Sequence, residues 1–290
     1  MPTAPTALVP VEPAVHTYVL HLKLVKMVQE WTKRRGDLLN VQRYGPTCMT
    51  MALAAPWAPA ADLDVVCRQA LLLWAVDDEL EAVADEARFR ARLAEFTSAI
   101  SGEPYRPDPL NDALAELRAD LVARPLFGEL GQWWTDTMID GWVAGFDEWR
   151  ISREMAAGAP APGYEDYLKI GTRSILKTPM QLAMLMVTEQ ASLHSHRNRL
   201  NAAIDEANIA VRLVNDYASY ERERRSGDLN VMMLGLTEDQ VRQEIHASVD
   251  RFREHLGPLL AEPNPLRAAV TLWRYLQTPV SFYLRIDYLS

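Results

Sequence analysis

Apolar residues recur at three- and four-residue spacing over long segments of the chain, which is the period of a helix with one buried face. Glycine is scarce, with 13 residues in 290, whereas the strong helix formers Ala, Leu, Glu and Arg are abundant. Clusters of proline and turn residues interrupt this pattern at Pro46 and at 56–59, 101–109, 158–163 and 263–265. The sequence therefore predicts an all-α fold with helices near 14–36, 62–83, 86–100, 110–124, 128–157, 164–190, 196–225, 237–258 and 265–286.

The sequence gives no sign of a repeat array or of a division into two domains. No unit of about 20 to 50 residues recurs, and no low-complexity linker divides the chain. A chain of 290 residues is long enough to bury about three quarters of its unfolded surface. We expect one helical domain over 14–290, preceded by a loose tail at 1–13 that carries four prolines and lacks the features of a signal peptide.

Charge and cysteine content narrow the class of protein. The formal net charge is -9, with 30 Lys plus Arg against 39 Asp plus Glu, which disfavours a general nucleic-acid binder. An anionic substrate would therefore need local positive charge or metal ions. Cys48 and Cys67 cannot build a disulfide framework or a thiolate zinc cluster, so a reducing, cytoplasmic location is expected. No apolar run approaches the roughly 20 residues of a membrane span.

The first segment that indicates chemistry is a carboxylate cluster at the end of an apolar helix. Asp77, Asp78 and Glu81 stand at i, i+1 and i+4, so Asp77 and Glu81 share a helix face and Asp78 lies about 100° around the axis. Like charges this close repel one another unless cations intervene. Oxygen ligands without nearby His or Cys suit Mg²⁺. The alternative is a solvated acidic turn, which is common at helix ends.

The second segment places three oxygen-bearing side chains along one helix face. Asn215, Ser219 and Glu223 stand at i, i+4 and i+8, so an amide oxygen, a hydroxyl and a carboxylate can converge on one hard cation. Arg222 beside them could pair with a phosphate through its guanidinium. The alternative for 221–225 is an exposed, charged helix face with weak pairs.

Together, the two motifs resemble those of class I terpene synthases, which ionise a prenyl diphosphate and have the all-α isoprenoid synthase fold. Residues 77–81 (DDELE) are similar to the aspartate-rich motif of the family, with Glu81 in place of a frequent Asp. Asn215, Ser219 and Glu223 fit the second motif, N-D-x-x-S-x-x-x-E, including an Arg before the Glu. The motifs occur in the family's order, about 140 residues apart. The resemblance implies a single-domain antiparallel helical bundle around an apolar cavity.

The resemblance also implies how the metals are held. Asp77 would bind two Mg²⁺ ions and Asn215, Ser219 and Glu223 a third, while the direct role of Glu81 stays open. The cations would grip the substrate diphosphate, with Arg222 aimed at it. Metal ions and arginines stabilise the charge that grows on a leaving diphosphate, and the carbocation left behind needs a closed, apolar pocket. We expect segment 223–230 and the C-terminus to become ordered when metals and diphosphate bind.

Several side chains are candidates for the cavity wall. Trp74 lies one helical turn before the aspartates, where its aromatic face could stabilise a cation, although core packing is the commoner role of such a residue. Trp133, Trp134, Trp142 and Trp149 are weaker candidates. Asn208 and Val211 stand seven and four residues before Asn215 on the same helix face, and are expected to reach the cavity.

Two further landmarks of the family concern arginines that bind the diphosphate. Bacterial members often carry a Tyr-Leu pair followed by an arginine that senses diphosphate, just before a helix break. Here Tyr167-Leu168 is followed by Arg173, one residue later than usual, and a break is expected near Pro179. The C-terminus usually supplies an Arg-Tyr pair that closes the site. Arg285 with Tyr288 is the candidate nearer the end, and Arg274-Tyr275 is the other.

The resemblance leaves other functions open. A chain-elongating prenyltransferase would carry a second aspartate-rich motif in place of Asn215, Ser219 and Glu223. A helical scaffold, in which the acidic clusters are merely solvated, is the alternative from a different class. The Y-L-x-x-G-x-x-S-I segment at 167–175 is similar to cyclases of labdane-type diphosphates, which favours a C20 substrate, with farnesyl diphosphate as the alternative. Relatives often form homodimers, but no interface can be identified from the sequence.

Overall fold

The computed structural model of the chain describes residues 11–36, 38–83 and 85–285. Within these ranges the chain forms α-helices and short 3-10 turns and no strand, so the predicted all-α fold is confirmed. None of the described helices has an apolar stretch long enough to span a bilayer. The helices are α1 (Glu12–Lys33), α2 (Tyr44–Ala54), α3 (Ala60–Glu81), α4 (Glu86–Ser101), α5 (Pro109–Val122), α6 (Phe127–Ala156), α7 (Tyr164–Ser174), α8 (Lys177–Thr188), α9 (Arg197–Ser226), α10 (Glu238–Leu260) and α11 (Arg267–Tyr283).

Helix α8 forms the centre of the fold. Every residue from Pro179 to Thr188 is buried, and the helix packs against α3, α6, α9 and α11. A helix that is apolar on all sides is stable only where other helices surround it. The other helices therefore surround α8. The first turn of α8 lies at the edge of a cavity.

Two segments differ from the sequence prediction. The predicted break at Pro46 is wrong: Pro46 lies in the first turn of α2, where a proline removes an N–H group that has no partner within the helix. The single helix predicted over 164–190 is two helices, α7 and α8. They are separated at Ile175 and Leu176, and Leu176 has a left-handed backbone with a φ of 53°. Pro179 lies three residues later, in the first turn of α8.

Helix α9 carries the second motif and packs along α10. It ends at Gly227, whose φ of 84° is a left-handed conformation that favours glycine. The chain then folds back, and Leu229 and Val231 pack with Tyr167 of α7 and with Leu213 and Val214 of α9 in a small apolar cluster. This return places 228–230 beside the end of α9. Of the predicted tail at 1–13, residues 1–10 lie outside the described ranges, and α1 begins at Glu12.

Candidate active site

A cavity of about 610 Å³ lies between α2, α3, α6, α8, α9 and α11. Both sequence motifs reach it, although they are far apart in the chain. The motif residues in its lining are Asp77, Asp78, Asn215, Arg222 and Glu223. Much of the remaining wall is apolar or aromatic, including Met51, Leu73, Trp142, Ile175 and Met180. The fold therefore brings an oxygen-rich region and an apolar interior together in one cavity.

The first motif divides its acidic residues between two tasks. Glu79 pairs with Arg92 of α4, which also binds Glu95 and Asp108. Asp77 and Asp78 instead lie on the cavity side and are exposed. The side chain of Glu81 lies outside the described part of the structure. The acidic turn is therefore not uniformly solvated, because one carboxylate holds α4 and two line the cavity.

Arg43 is a residue of the site that the sequence analysis missed. It precedes α2, and its guanidinium donates two hydrogen bonds to Asp78, from Nη1 to Oδ2 at 2.8 Å and from Nη2 to Oδ1 at 3.0 Å. The same guanidinium lies 4.7 Å from the ring centre of Trp74, which also lines the cavity. No local pattern marks Arg43, because its contacts depend on how α2 packs against α3.

The second motif is held by the end of α9 and by the segment that follows it. Asn215 and Glu223 line the cavity, whereas Ser219 between them is fully buried and its Oγ donates to the backbone oxygen of Asn215 at 2.8 Å. Glu223 accepts hydrogen bonds from Arg222 at 3.3 Å and from Asn230 Nδ2 at 2.8 Å. Asn230 also donates to the backbone oxygen of Asp216 at 2.8 Å, so the returning chain fixes both the carboxylate and the helix.

A buried ion cluster supports the second motif from below. Arg212 pairs with Glu148 of α6 at 2.9 Å and with Asp216 at 3.1 Å, and its Nε donates to the Tyr167 hydroxyl at 2.6 Å. Tyr167 in turn donates to Asp216. Burial raises the pKa of Asp216 to about 7 and also raises the pKa of Glu148, although Arg212 opposes both shifts. Both carboxyls therefore depend on Arg212 to remain charged.

The break between α7 and α8 forms another wall of the cavity. Ile175, Leu176 and Lys177 all line it. Gly141 of α6 allows the break to approach closely, since a Cβ there would lie 2.2 Å from Leu176 Cδ2 and 3.0 Å from the Arg173 backbone oxygen. The absence of a side chain at Gly141 therefore sets the distance between α6 and the break.

This contact gives a testable prediction. Gly141→Ala is expected to lower the free energy of unfolding by about 1–3 kcal/mol, because overpacking forces neighbouring groups to move. Gly145→Ala, one turn along the same helix, is the matched control. No heavy atom of the described residues lies within 4 Å of its added Cβ, so the higher helix propensity of alanine should stabilise the protein by up to about 1 kcal/mol. Urea unfolding measures both, and equal stabilities would contradict the close contact.

Some residues predicted for the site lie elsewhere. Arg173 donates to Asp140 and to the backbone oxygen of Lys169, both at 2.7 Å, and is absent from the described cavity lining. Asn208 and Val211 are buried behind the lining, where Asn208 bonds to Gln181 at 3.1 Å and Thr178 at 2.7 Å. Their helix face continues past the cavity and packs against α8.

The C-terminal candidates also differ in their placement. Arg285 donates to the backbone oxygen of Ser281, one turn earlier, and Tyr288 lies outside the described residues. In the other pair, Arg274 donates to the backbone oxygen of Leu53 at 2.8 Å, whereas Tyr275 lines the cavity. Among the weaker aromatic candidates, Trp142 and Trp149 line the cavity and Trp134 is fully buried.

The donor set of the site fits a hard divalent cation. All candidate ligands in the cavity lining offer carboxylate or amide oxygens, and the buried Ser219 hydroxyl keeps acceptor capacity while it donates. Among the described residues, no three His, Cys, Asp or Glu side chains could hold a metal ion by themselves. Mg²⁺ tolerates such a site, because it commonly takes one or two carboxylates and completes its shell with water and phosphate oxygens. The residues therefore fit Mg²⁺ together with an anionic ligand.

Comparison with known proteins agrees with this geometry. The family model described as Terpene synthase family 2, C-terminal metal binding, matches residues 70–256. Ent-pimara-9(11),15-diene synthase from Streptomyces sp. (strain KO-3988) is 26% identical over 285 residues, covering 92% of this chain and 91% of that protein.

Two solved structures show the same fold. The structure of 2-methylisoborneol synthase from Streptomyces coelicolor A3(2), in complex with Mg²⁺ and 2-fluoroneryl diphosphate, has a TM-score of 0.72 and 18% identity, covering 91% of each chain. Linalool/nerolidol synthase from Streptomyces clavuligerus, in complex with 2-fluorogeranyl diphosphate, has a TM-score of 0.66 and 21% identity, covering 92% of this chain and 94% of the other. The fold is the all-α fold of class I terpene synthases. Because the family match covers more than half of the sequence and includes both motifs at the cavity, this chain belongs to the terpene synthase family.

Proposed function

We propose that the protein ionises a C20 prenyl diphosphate in a Mg²⁺-dependent reaction and converts the resulting carbocation to a cyclised or rearranged terpene. Copalyl diphosphate, a labdane-type substrate, and geranylgeranyl diphosphate are the candidate substrates. The observation that carries this proposal is the meeting of both oxygen-rich motifs with Arg222 and Arg43 at one cavity, much of whose remaining wall is apolar or aromatic. A solvated scaffold would not need this arrangement.

At the diphosphate end, the protein supplies oxygen ligands and cationic side chains. The metal ligands would be Asp77, Asp78, Asn215, Ser219 and Glu223, holding three Mg²⁺ ions, two of them on Asp77. Bound Mg²⁺ supplies neutralisation of the charge that develops on the leaving diphosphate. Arg222 and Arg43 line the same region and can donate paired hydrogen bonds to phosphate oxygens. Arg43 would leave Asp78 when that carboxylate binds a cation.

At the hydrocarbon end, the protein supplies shape and exclusion of water. Trp74, Trp142, Trp149 and Phe89 present aromatic rings to the cavity, and such rings stabilise a nearby cation. Water in the cavity would quench the carbocation, so apolar walls protect the intermediate. The order in which double bonds react is then set by how the walls fold the chain.

The C20 assignment is supported by sequence. The Streptomyces ent-pimara-9(11),15-diene synthase aligns over nearly the whole chain. The segment at 167–175 is similar in sequence to cyclases of labdane-type diphosphates. The fold shared with linalool/nerolidol synthase does not set the chain length, so a C15 substrate, farnesyl diphosphate, is the second candidate. A cavity of about 610 Å³ lies within the usual range of small-ligand sites.

The test is incubation of the purified protein with geranyl, farnesyl, geranylgeranyl and copalyl diphosphate in separate reactions with Mg²⁺. Diphosphate release and mass spectrometry of the organic extract are measured together, with EDTA as the control. A C20 terpene is the expected product, and formation from copalyl but not geranylgeranyl diphosphate would indicate a labdane-type enzyme. A C15 product would replace the C20 assignment. Elongated prenyl diphosphates, or no Mg²⁺-dependent release from any of the four, would overturn the proposal.

A further inference from the structure

One lysine of the cavity has no role in the function proposed above. Lys177 is the first residue of α8, directly after the left-handed Leu176, and it lines the cavity. Among the described residues, its Nζ has no hydrogen-bond or ion-pair partner.

Several other charged side chains of the lining have such partners. Arg43 pairs with Asp78, Arg212 with Glu148 and Arg222 with Glu223. Asp228 accepts a hydrogen bond from Ser226. Lys177 therefore differs from these paired groups, and its chemistry needs an explanation.

An ammonium is disfavoured at this position. Burial lowers the pKa of Lys177 to about 8, so the neutral amine gains population as the pH rises towards that value. The residue also lies at the N-terminus of a helix, where the helix dipole opposes a positive charge. An apolar substrate that displaces water from the cavity would favour the neutral amine further.

The other titratable groups of the cavity do not offset this effect. Those on α3, α6 and α9 that line it are Asp77, Asp78, Glu148, Arg212, Arg222 and Glu223. The remaining ones are Arg43 before α2, Arg153 on α6, Asp228 after α9, and Tyr275 and Tyr283 on α11. Burial alone lowers the pKa of Lys177, without a contribution from any of these charges. Among the described residues, none of the carboxylates of the two metal motifs forms an ion pair with Lys177.

Resting on the proposed function, we propose that Lys177 is the base that ends the reaction. Its neutral amine takes a proton from a carbon next to the last carbocation. The electron pair of the broken C–H bond forms the new C=C bond, and Nζ becomes an ammonium. The ammonium returns this proton to water when the product leaves. Glu148 is less suited to this task, because Arg212 already pairs with its carboxylate.

The test separates the end of the reaction from its beginning. Lys177→Met keeps an unbranched apolar side chain but removes the amine. We expect diphosphate release to stay within about threefold of the unmodified enzyme, and the share of the main alkene to fall about tenfold or more in favour of isomeric alkenes or alcohols. In the unmodified enzyme, the share of the main alkene should rise with pH, with a midpoint at or below about pH 8, and Lys177→Met should lose this dependence.

Lys169→Met makes the same chemical change at an exposed lysine of α7 that is absent from the described cavity lining, so it is the matched control and should keep the main alkene. An unchanged product profile in Lys177→Met would overturn the proposal for Lys177. Absence of diphosphate release from every prenyl diphosphate in the unmodified enzyme would instead overturn the proposed function, so the two failures are distinguishable.

A second measurement tests the amine without any substrate. The chain has five lysines, so reductive ¹³C-methylation gives few NMR signals, and Lys177→Met identifies the one from Lys177. We expect that signal to titrate about two pH units below the ordinary lysine value of about 10.4. Titration at the ordinary value would overturn the proposal even if the enzyme is active.

Discussion

Asn215→Ala should reduce Mg²⁺-dependent diphosphate release about 10²–10³-fold while leaving the fold intact, because one group that stabilises charge in a closed site contributes about 3–4 kcal/mol. Asn215 lines the cavity on the second motif. The hydrogen bond from Ser219 goes to the backbone oxygen of Asn215, which alanine retains. The loss should therefore come from the missing amide oxygen. Steady-state release assays measure it, and thermal unfolding checks the fold.

The matched control is Asn198→Ala, on the exposed first turn of the same helix. It makes the same chemical change away from the cavity and should alter neither activity nor unfolding temperature. Full Mg²⁺-dependent release by Asn215→Ala would contradict the assignment of the second motif to metal binding. Loss of release together with loss of the folded state would attribute the effect to stability.

The helices that sequence predicts well are those with one buried face. The prediction of 62–83 compares with Ala60–Glu81, and that of 196–225 with Arg197–Ser226. Helix α2 was not predicted from the sequence. It is mostly buried, with Cys48, Met51 and Ala52 inside, so its apolar residues show no clear helical period. The position of the break before α8 could not be predicted either, because leucine seldom adopts the left-handed conformation that Leu176 has here.

The residues of the candidate site also fall into those that the sequence predicts and those that it does not. The positions of Asp77 and Asn215 can be predicted, because helix spacing groups the oxygen-bearing side chains of each motif and the family resemblance implies that the two motifs share a site. The structure puts both residues at one cavity. Arg43 and Lys177 cannot be predicted, since each reaches the cavity through the packing of a different helix. The prediction that Asn208 reaches the cavity was wrong for a related reason. A helix face lines a cavity only where no other helix covers it, and α8 covers the face of α9 at Asn208.

Arg212 lies in a buried ion cluster, so its loss should strongly destabilise the protein. Its side chain is only 9% exposed, and it pairs with Glu148 and Asp216 in the interior. Gly171 of α7 makes room for it, since a Cβ there would lie 2.9 Å from Arg212 Nε. Removing one partner of a buried charge cluster leaves the others uncompensated, which costs far more than a surface ion pair contributes.

Arg212→Met is therefore expected to lower the free energy of unfolding by about 3–5 kcal/mol, which corresponds to a fall in Tm of roughly 10 °C for a domain of this size. Arg224→Met, which removes an exposed pair with Glu221 on the same helix, should cost less than about 1 kcal/mol.

The loss of unfolding free energy in Arg212→Met, relative to the unmodified protein, should shrink as the pH falls from about 8 to about 5.5. Burial raises the pKa of Glu148 and of Asp216 and Arg212 opposes both shifts, so both pKa values should rise further in Arg212→Met. Protonation at low pH should therefore stabilise the folded variant more than the unmodified protein, and this gain is lost as the pH rises. A deficit under about 1 kcal/mol, or one that grows at low pH, would show that Arg212 does not hold these carboxylates in their charged form.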